Sequence, residues 1–478
     1  MKTIKFYILC IVGVLMLNLA GCDKFEDLNK DPNQIYQIKQ SSSLLSPILY
    51  SIGSNNLTNA RNIGHTLMQY AAAGQYENDS ELHRYVVLNS TGSGYWGNSY
   101  RNLTNVEDMI NVARDNDDSN YLAVGLTLRA YIYSMLTDLF GDVPFSEANK
   151  GAEGYLQPKF DSQQEIYTAI LADLKTASGL FDTQKTMDAG SDILYKGSVI
   201  RWQKFCNSLR IRLLLRISSK VNTAKAELVN ILIGEPVLSS ADDDALLRYT
   251  NVSPFNNPYL SERPLNFYEQ WAFCEFLVDG FNAVSDPRLV EWGTIYKGDG
   301  GGYKGIPSGY PQSVRYQLAY MTTYRTSLQS SDLVSAFITY SEVCFIKAEL
   351  ALNGEISGSA QGFYEDGIKA SMDRWKLILP AEYLITPGVK FEGTNEEKME
   401  LIMLQKYYNF FLNDSQAWFE KRRTGLPNLP IGEAVQNDGK MPIRLKYPAS
   451  VMSYNEANYK KVIEKMGNVD DINYRVWW

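Results

Sequence analysis

Residues 121–140 carry Leu128, Ile132, Met135, Leu136 and Leu139 at steps of three and four. That is the stripe of a helix that lays one face on a core. Gly141 follows where such a helix needs a left-handed exit, and Pro144 prevents its continuation. The same pattern recurs in pairs, and this recurrence limits the fold more than any other feature. The spacing predicts helices over 44–52 and 59–73, 100–114 and 121–140, and 163–179 and 198–219. A further pair spans 334–352 and 360–377, and 396–412 and 416–421 close the series. Leu213-Leu214-Leu215 is apolar on more than one face, which makes the helix over 198–219 central. In the 334–352 helix, Val334, Phe337, Ile338, Phe345, Ala348 and Leu352 share one face. The expected fold is all-α and built of tetratricopeptide-like helix pairs, although no period of about 34 residues is legible.

Three excursions interrupt the helices, at about 74–94, 250–331 and 428–457. The longest is rich in Gly, Pro, Asn and Tyr and keeps a periodic pattern only over 267–281. Loops of that length inside a folded domain are uncommon unless they work. Within it, Gly298-Asp299-Gly300-Gly301-Gly302 lacks the flanking strand, helix and Lys-Ser/Thr of a phosphate loop and reads as a flexible loop. Asp115-Asn116-Asp117-Asp118 begins like a calcium loop, but Asn120 and Leu126 stand where the turn Gly and the bidentate Glu belong. Asp242-Asp243-Asp244 reads as a solvated loop or a helix cap.

Composition narrows the chemistry. The net charge of −8 removes the basic footprint of a nucleic-acid binder. His65 and His83 are the only histidines, which weighs against His-built metal centres and triads. No metal and no cofactor is expected. The 32 tyrosines suit a surface that grips polar ligands and equally a helical core with wet edges.

The first segment stands apart. Lys2 and Lys5 precede an apolar run over 7–19 that is too short for a comfortable span, as in a signal peptide. It ends in Leu19-Ala20-Gly21-Cys22, which resembles the lipobox of bacterial lipoproteins; a plain secretory signal with a chance Cys is the other reading. We expect residues 1–21 to be removed and Cys22 to be lipidated. Residues 22–40 would form a tether, and 41–478 a single helical domain. Without Lys2 and Lys5 the net charge falls to about −10, so only acyl chains would hold the protein to a membrane. Cys206, Cys274 and Cys344 then remain, an odd number that implies no disulfide framework.

Five blocks carry a specific resemblance. They are Phe25-Glu26-Asp27-Leu28-Asn29-Lys30-Asp31-Pro32-Asn33; Arg129-Ala130-Tyr131 with Asp138-Leu139-Phe140-Gly141-Asp142-Val143-Pro144; Tyr340-Ser341-Glu342-Val343 with Ala348-Glu349; Gln405-Lys406-Tyr407 with Trp418 to Pro427; and Met441-Pro442-Ile443-Arg444 with Tyr447-Pro448 and Asn455. In this order they resemble the SusD/RagB family of outer-membrane lipoproteins of Bacteroidetes. Asp286-Pro287-Arg288-Leu289 and Tyr303-Lys304-Gly305 are similar to its second SusD-like group. The resemblance implies four tetratricopeptide-like helix pairs, a loop-rich ligand face and no catalysis. It implies a SusC-like TonB-dependent transporter as partner, a glycan or oligosaccharide as ligand (a peptide in the RagB branch), and a place at the cell surface. It also makes the acidic residues Asp23, Glu26 and Asp27 look like a surface-export signal.

The blocks themselves read as structural. Asp138 and Asp142 flank a helix end, and Arg422 and Arg423 beside Trp418 suit stacking and pairing within the fold. The candidate ligand contacts therefore lie in the excursions, where ring faces for sugar C–H surfaces mix with amides for hydroxyls. They are Tyr76, Asn78 and Tyr85 in the first, and Asn256, Tyr259, Trp292, Tyr296, Tyr303 and Tyr310 in the second. A surface glycoside hydrolase working through an Asp/Glu pair is the reading from another class, but no acid pair lies in a motif.

Overall fold

The computed structural model describes residues 38–74, 81–250, 252–260, 267, 270–298, 300–329 and 333–478. The stop signal after residue 140 works as its chemistry demands. Asp118 caps the helix Ser119–Phe140 by accepting the N–H of Tyr121 at 3.4 Å. At the far end Gly141, at φ 84°, donates to the Thr137 carbonyl at 2.8 Å. Two later helices start on complete capping boxes, Ser162 with Glu165 and Thr394 with Glu397.

In chain order the main helices are α1 (Ser42–Asn59), α2 (Ser93–Asp115), α3 (Ser119–Phe140), α4 (Gln163–Leu180), α5 (Val199–Ile217), α6 (Ala224–Gly234) and α7 (Glu275–Val284). They continue as α8 (Arg288–Trp292), α9 (Tyr340–Leu352), α10 (Ala360–Arg374), α11 (Asn395–Asn409), α12 (Gln416–Thr424), α13 (Ala449–Tyr454) and α14 (Glu456–Glu464). Successive helices pack side by side: α2 on α3, α3 on α4, α4 on α5, α9 on α10. Residues Gln40–Trp478 form one unit around a continuous apolar core. Its centre is α5, which buries Trp202, Phe205, Leu209 and Leu213 completely. Among the described residues three two-stranded antiparallel sheets decorate it: β1 (Ala71–Ala73) with β5 (Trp271–Phe273), β2 (Val143–Pro144) with β3 (Phe160–Asp161), and β4 (Ala245–Arg248) with β6 (Val334–Ile338).

The structure corrects several expectations. Residues 44–73 do not form a helix pair: α1 runs on through a π-turn (Ala60–Gly64) and a last turn (His65–Leu67), and 71–73 are β1. Two asparagines along this helix, Asn56 and Asn59, are buried. The Asn56 amide meets the Tyr131 hydroxyl at 2.7 Å, and Asn59 donates to Ser415 Oγ at 2.9 Å. Val334–Ile338 is a strand, not the start of a helix. All five residues are buried, so no alternation betrays the period of two, and the helix starts only after Thr339 caps Glu342 N. The periodic segment 267–281 divides into β5 and α7. Asp243 and Asp244 are buried rather than solvated; Asp243 accepts from Lys204 and Ser239, and Asp244 from Tyr340 N at the start of α9.

The motif residues are core ion pairs. Asp138 binds Arg216 at 2.6 Å and accepts from Tyr167 and Trp478. Glu342 pairs with Arg212, Asp286 with Arg288, Glu349 with Arg423 and Glu420 with Lys406, all buried save the half-buried Arg423. Cys206, Cys274 and Cys344 are free and buried.

Candidate functional site

The described parts of the three excursions converge on one face. Gly309 donates to Nδ1 of His83 at 3.0 Å, and Ala434 donates to the Gly309 carbonyl at 2.9 Å. Gln436 donates to the Arg84 carbonyl at 2.8 Å, and Arg84 Nε returns a bond to the Ala434 carbonyl. Tyr316 donates its N–H to the Gly74 carbonyl at 2.9 Å. Short backbone ladders run on from β5: Cys274 bridges Ile306, and Gly293 bridges Tyr324. Rigid helices thus carry a woven layer of loops, the arrangement expected for binding residues.

This layer sorts the candidate residues. Four are buried and cannot offer a ring to a ligand. Tyr259 is fully buried, its hydroxyl donating to the Leu57 carbonyl at 2.6 Å and its ring lying under Arg61. Trp292 stacks on Phe411 at 3.9 Å, nearly parallel, deep in the core. Tyr310 stacks on His83 at 4.6 Å and its hydroxyl donates to the Ala73 carbonyl. Tyr85 is buried at a positive φ of 66°. Tyr85, Tyr259 and Trp292 tie the loops into the main core, and Tyr310 anchors a small separate core beneath them. Three candidates keep accessible surface: Asn256, Tyr296 and Tyr303 are half-buried. Tyr76, Asn78 and the proposed lipidation site Cys22 lie outside the described residues.

Tyr296 is held by the glycine-rich segment that follows it. Its N–H donates to the Gly302 carbonyl, Gly300, Gly301 and Gly302 all have positive φ, and a Cβ on Gly298 would run into the Tyr296 ring. Tyr303 packs one side on the core while Asn282 donates to its carbonyl at 3.2 Å, and burial raises its hydroxyl pKa. Asn256 sits apart, its carbonyl accepting from Tyr50 at 3.0 Å. Its neighbour Phe255 lines a cavity of about 700 Å³ with Arg201, Asp242 and Thr250.

Tyr316 and Tyr320 belong to the face and were not singled out from the sequence. Tyr316 stands edge-on against Tyr310 at 4.9 Å, so the buried ring buttresses the accessible one. Its hydroxyl pKa is raised by burial and by the nearby charges of Glu275 and Glu433. Both carboxylates are exposed, as is Lys304 beside Glu275. Tyr320 is 48% exposed. Ring faces, carboxylates and an ammonium within one layer can grip a polyhydroxylated ligand. Among the described residues no His/Cys/Asp/Glu group is arranged to hold a metal ion.

A family profile described as starch-binding associating with outer membrane, the second SusD-like group, matches residues 32–448. The chain belongs to the SusD-like family. Among solved structures, a SusD homologue from Bacteroides fragilis is 26% identical with a TM-score of 0.79, over 92% of this chain and 99% of that one. A second homologue from the same species is 25% identical with a TM-score of 0.80, over 92% and 99%. A chitin-binding protein is 25% identical with a TM-score of 0.78, over 91% and 98%. No curated protein matches. The SusD-like family is one of carbohydrate-binding proteins associated with the outer membrane, not of enzymes, and its fold is the helical, tetratricopeptide-like one seen here. No helix among the described residues is long and apolar enough to cross a membrane.

Proposed function

We propose that this protein is a surface lipoprotein, anchored through Cys22, that captures a glycan or oligosaccharide and delivers it to a SusC-like TonB-dependent transporter. The observation that carries the proposal is the convergence of three loop excursions into one layer presenting Tyr303 and Tyr316 beside Glu275, Lys304 and Glu433. Aromatic faces cover the C–H surfaces of pyranose rings, and charged side chains take their hydroxyls. The likeness to a chitin-binding relative makes β-linked N-acetylglucosamine oligomers the first ligands to try.

A glycan array probed beside a library of short peptides tests the ligand class, and affinity capture from solubilised outer membranes tests the partner. Glycan binding without hydrolysis, and recovery of a large β-barrel transporter, are expected. Binding to peptides alone would put the protein in the RagB-like branch, and turnover of the bound glycan would make it a hydrolase. Either result overturns the proposal.

A further inference from the structure

A second pocket, of about 280 Å³, opens where the C-terminal ends of α5 and α12 meet the segment 441–443 and the residues around Val476. At about 30 Å³ per water it has room for roughly nine waters, more than a bare inorganic ion needs. Among the described residues five cationic side chains line it and no side-chain carboxylate does. Two of the five are neutralised inside the fold: Arg216 by Asp138, and Arg423 by Glu349 and Glu420. The other three form no ion pair with a described residue. Lys421 donates to the Gly425 carbonyl, Arg422 donates to the carbonyls of Ile443 and Asp138, and Arg475 is exposed. Arg422 lies over the rings of Trp418 and Trp478, at 4.5 and 4.6 Å. Burial pushes its pKa down to about 9; Asp138 opposes this and Arg216 adds to it. Burial also lowers Lys421.

Helix C-termini favour cations, and the carbonyls that Arg422 caps account for its own place. Lys421, donating to the Gly425 carbonyl at the same helix end, is placed in the same way, but neither bond accounts for Arg475 converging with them on a concave surface without a side-chain carboxylate, in a chain of net charge −8. Guanidinium and ammonium groups arranged in this way recognise oxyanions through charge-assisted hydrogen bonds. The remaining wall is Ser219, Met441, Pro442, Ile443, Val476 and Trp478, of which Met441 and Ile443 keep the apolar surface that a ring can lie against.

We propose that this pocket binds the carboxylate of a uronate unit in an acidic saccharide, with the sugar ring against Met441 and Ile443. The saccharide source rests on the glycan-binding reading above; the oxyanion chemistry does not.

The test titrates the whole mature protein calorimetrically with sodium glucuronate, sodium sulfate, glucose and a neutral chito-oligosaccharide. Arg475→Ala and Lys421→Gln serve as variants, since neither side chain is in the core. We expect glucuronate to bind, glucose not to bind in this pocket, and each variant to weaken glucuronate by roughly tenfold or more. Raising the salt from 0.05 to 0.5 M should weaken it further. Sulfate should compete, but more weakly than glucuronate. Binding of sulfate with no binding of glucuronate would reduce the site to a bare-anion site and overturn the proposal. So would glucuronate affinity unchanged in both variants, or no binding of either anion. If the neutral oligosaccharide still binds in those cases, only the pocket assignment fails and the function proposed above stands. Glucuronate sensitive to both variants, with no neutral glycan bound anywhere, would uphold the pocket and overturn the glycan face.

Discussion

At the scale of single residues, the motifs that carry the family resemblance turn out to be the fold's buried charges. Asp138, Asp286, Glu342, Glu349 and Glu420 each meet an arginine or lysine inside the core. Removing one partner leaves the other buried and unpaired, which costs about 3–5 kcal/mol. That explains why the motifs identify the fold so well and say nothing of the ligand. Trp418, with no exposed surface and its indole N–H donating to the Pro442 carbonyl at 3.0 Å, belongs with them. Trp418→Ala should lower stability by about 3–5 kcal/mol in denaturant titrations and leave ligand affinity intact in the folded fraction. His65 gives the residue scale a pH signature. Its Nε2 accepts the Leu412 N–H at 3.0 Å and its Nδ1 meets the Tyr324 hydroxyl at 2.6 Å, so the ring is neutral with its proton on Nδ1. Burial, then Arg61, pushes its pKa down to about 3 from 6.5. The unfolded chain therefore takes up a proton before the folded one does. The stability that this ring contributes is complete above pH 6.5 and is lost as pH falls towards 3. At pH 5 the loss should be about 2 kcal/mol. Chemical denaturation at pH 7 and pH 5 checks it, and His65→Phe should remove that slope. Four of the site candidates failed at this scale for one reason: a tyrosine in a loop reads the same whether its ring faces water or a neighbour. The signal that could have found Tyr316 is its spacing of six from Tyr310, but only the backbone bond to Gly74 turns the two rings together.

At the scale of elements, helices with one wet face were legible and fully buried elements were not. α3 and α4 start and stop within a few residues of their sequence signals, because caps and stripes are local chemistry. β6 was read as helix because burial on both faces erases its alternation. α1 was cut short at residue 52, and its continuation is held by Asn56 meeting Tyr131 and by Asn59 meeting Ser415 and Asp414, partners that no local pattern reveals. Asp414 sits against the π-turn of that helix, accepts from Asn59 and Tyr95, and makes no ion pair among the described residues. Burial raises its pKa to about 7 from 3.8, with those hydrogen bonds opposing. The folded state then holds a proton that the unfolded chain has released, so this carboxyl's contribution is complete below pH 4 and disappears as pH rises to 7. Asp414→Asn should lose that dependence. The stability of the wild type relative to the variant should fall by about 3–4 kcal/mol between pH 4 and pH 7. A flat difference would mean that the carboxylate stays ionised. Its slope is opposite to that of His65, which is why each is measured against its own variant.

At the scale of the whole molecule, the helical scaffold was legible from periodicity, while the convergence of its loops was not. It depends on pairs such as Arg84 with Ala434 that stand 350 residues apart. Placement in the cell is argued from residues 1–37, whose signal-peptide pattern and acidic Asp23, Glu26 and Asp27 predict an outer-leaflet lipoprotein. External protease should shave the wild type from intact cells. Substituting the three acidic residues by Ala should leave it lipidated but protected. A wild type that survives while a surface control is cleaved would refute the placement. The central claim is that ligand is held on the layer where Tyr303 and Tyr316 stand. The most direct test is calorimetric titration of the array-identified glycan into the wild type and into Tyr303→Ala and Tyr316→Ala, with thermal melts alongside. Taking base stacking on aromatics as the calibrated analogue, each variant should lose about 1–3 kcal/mol of binding while keeping a melting point near that of the wild type. Unchanged affinity in both variants would contradict the account and move the ligand to another surface.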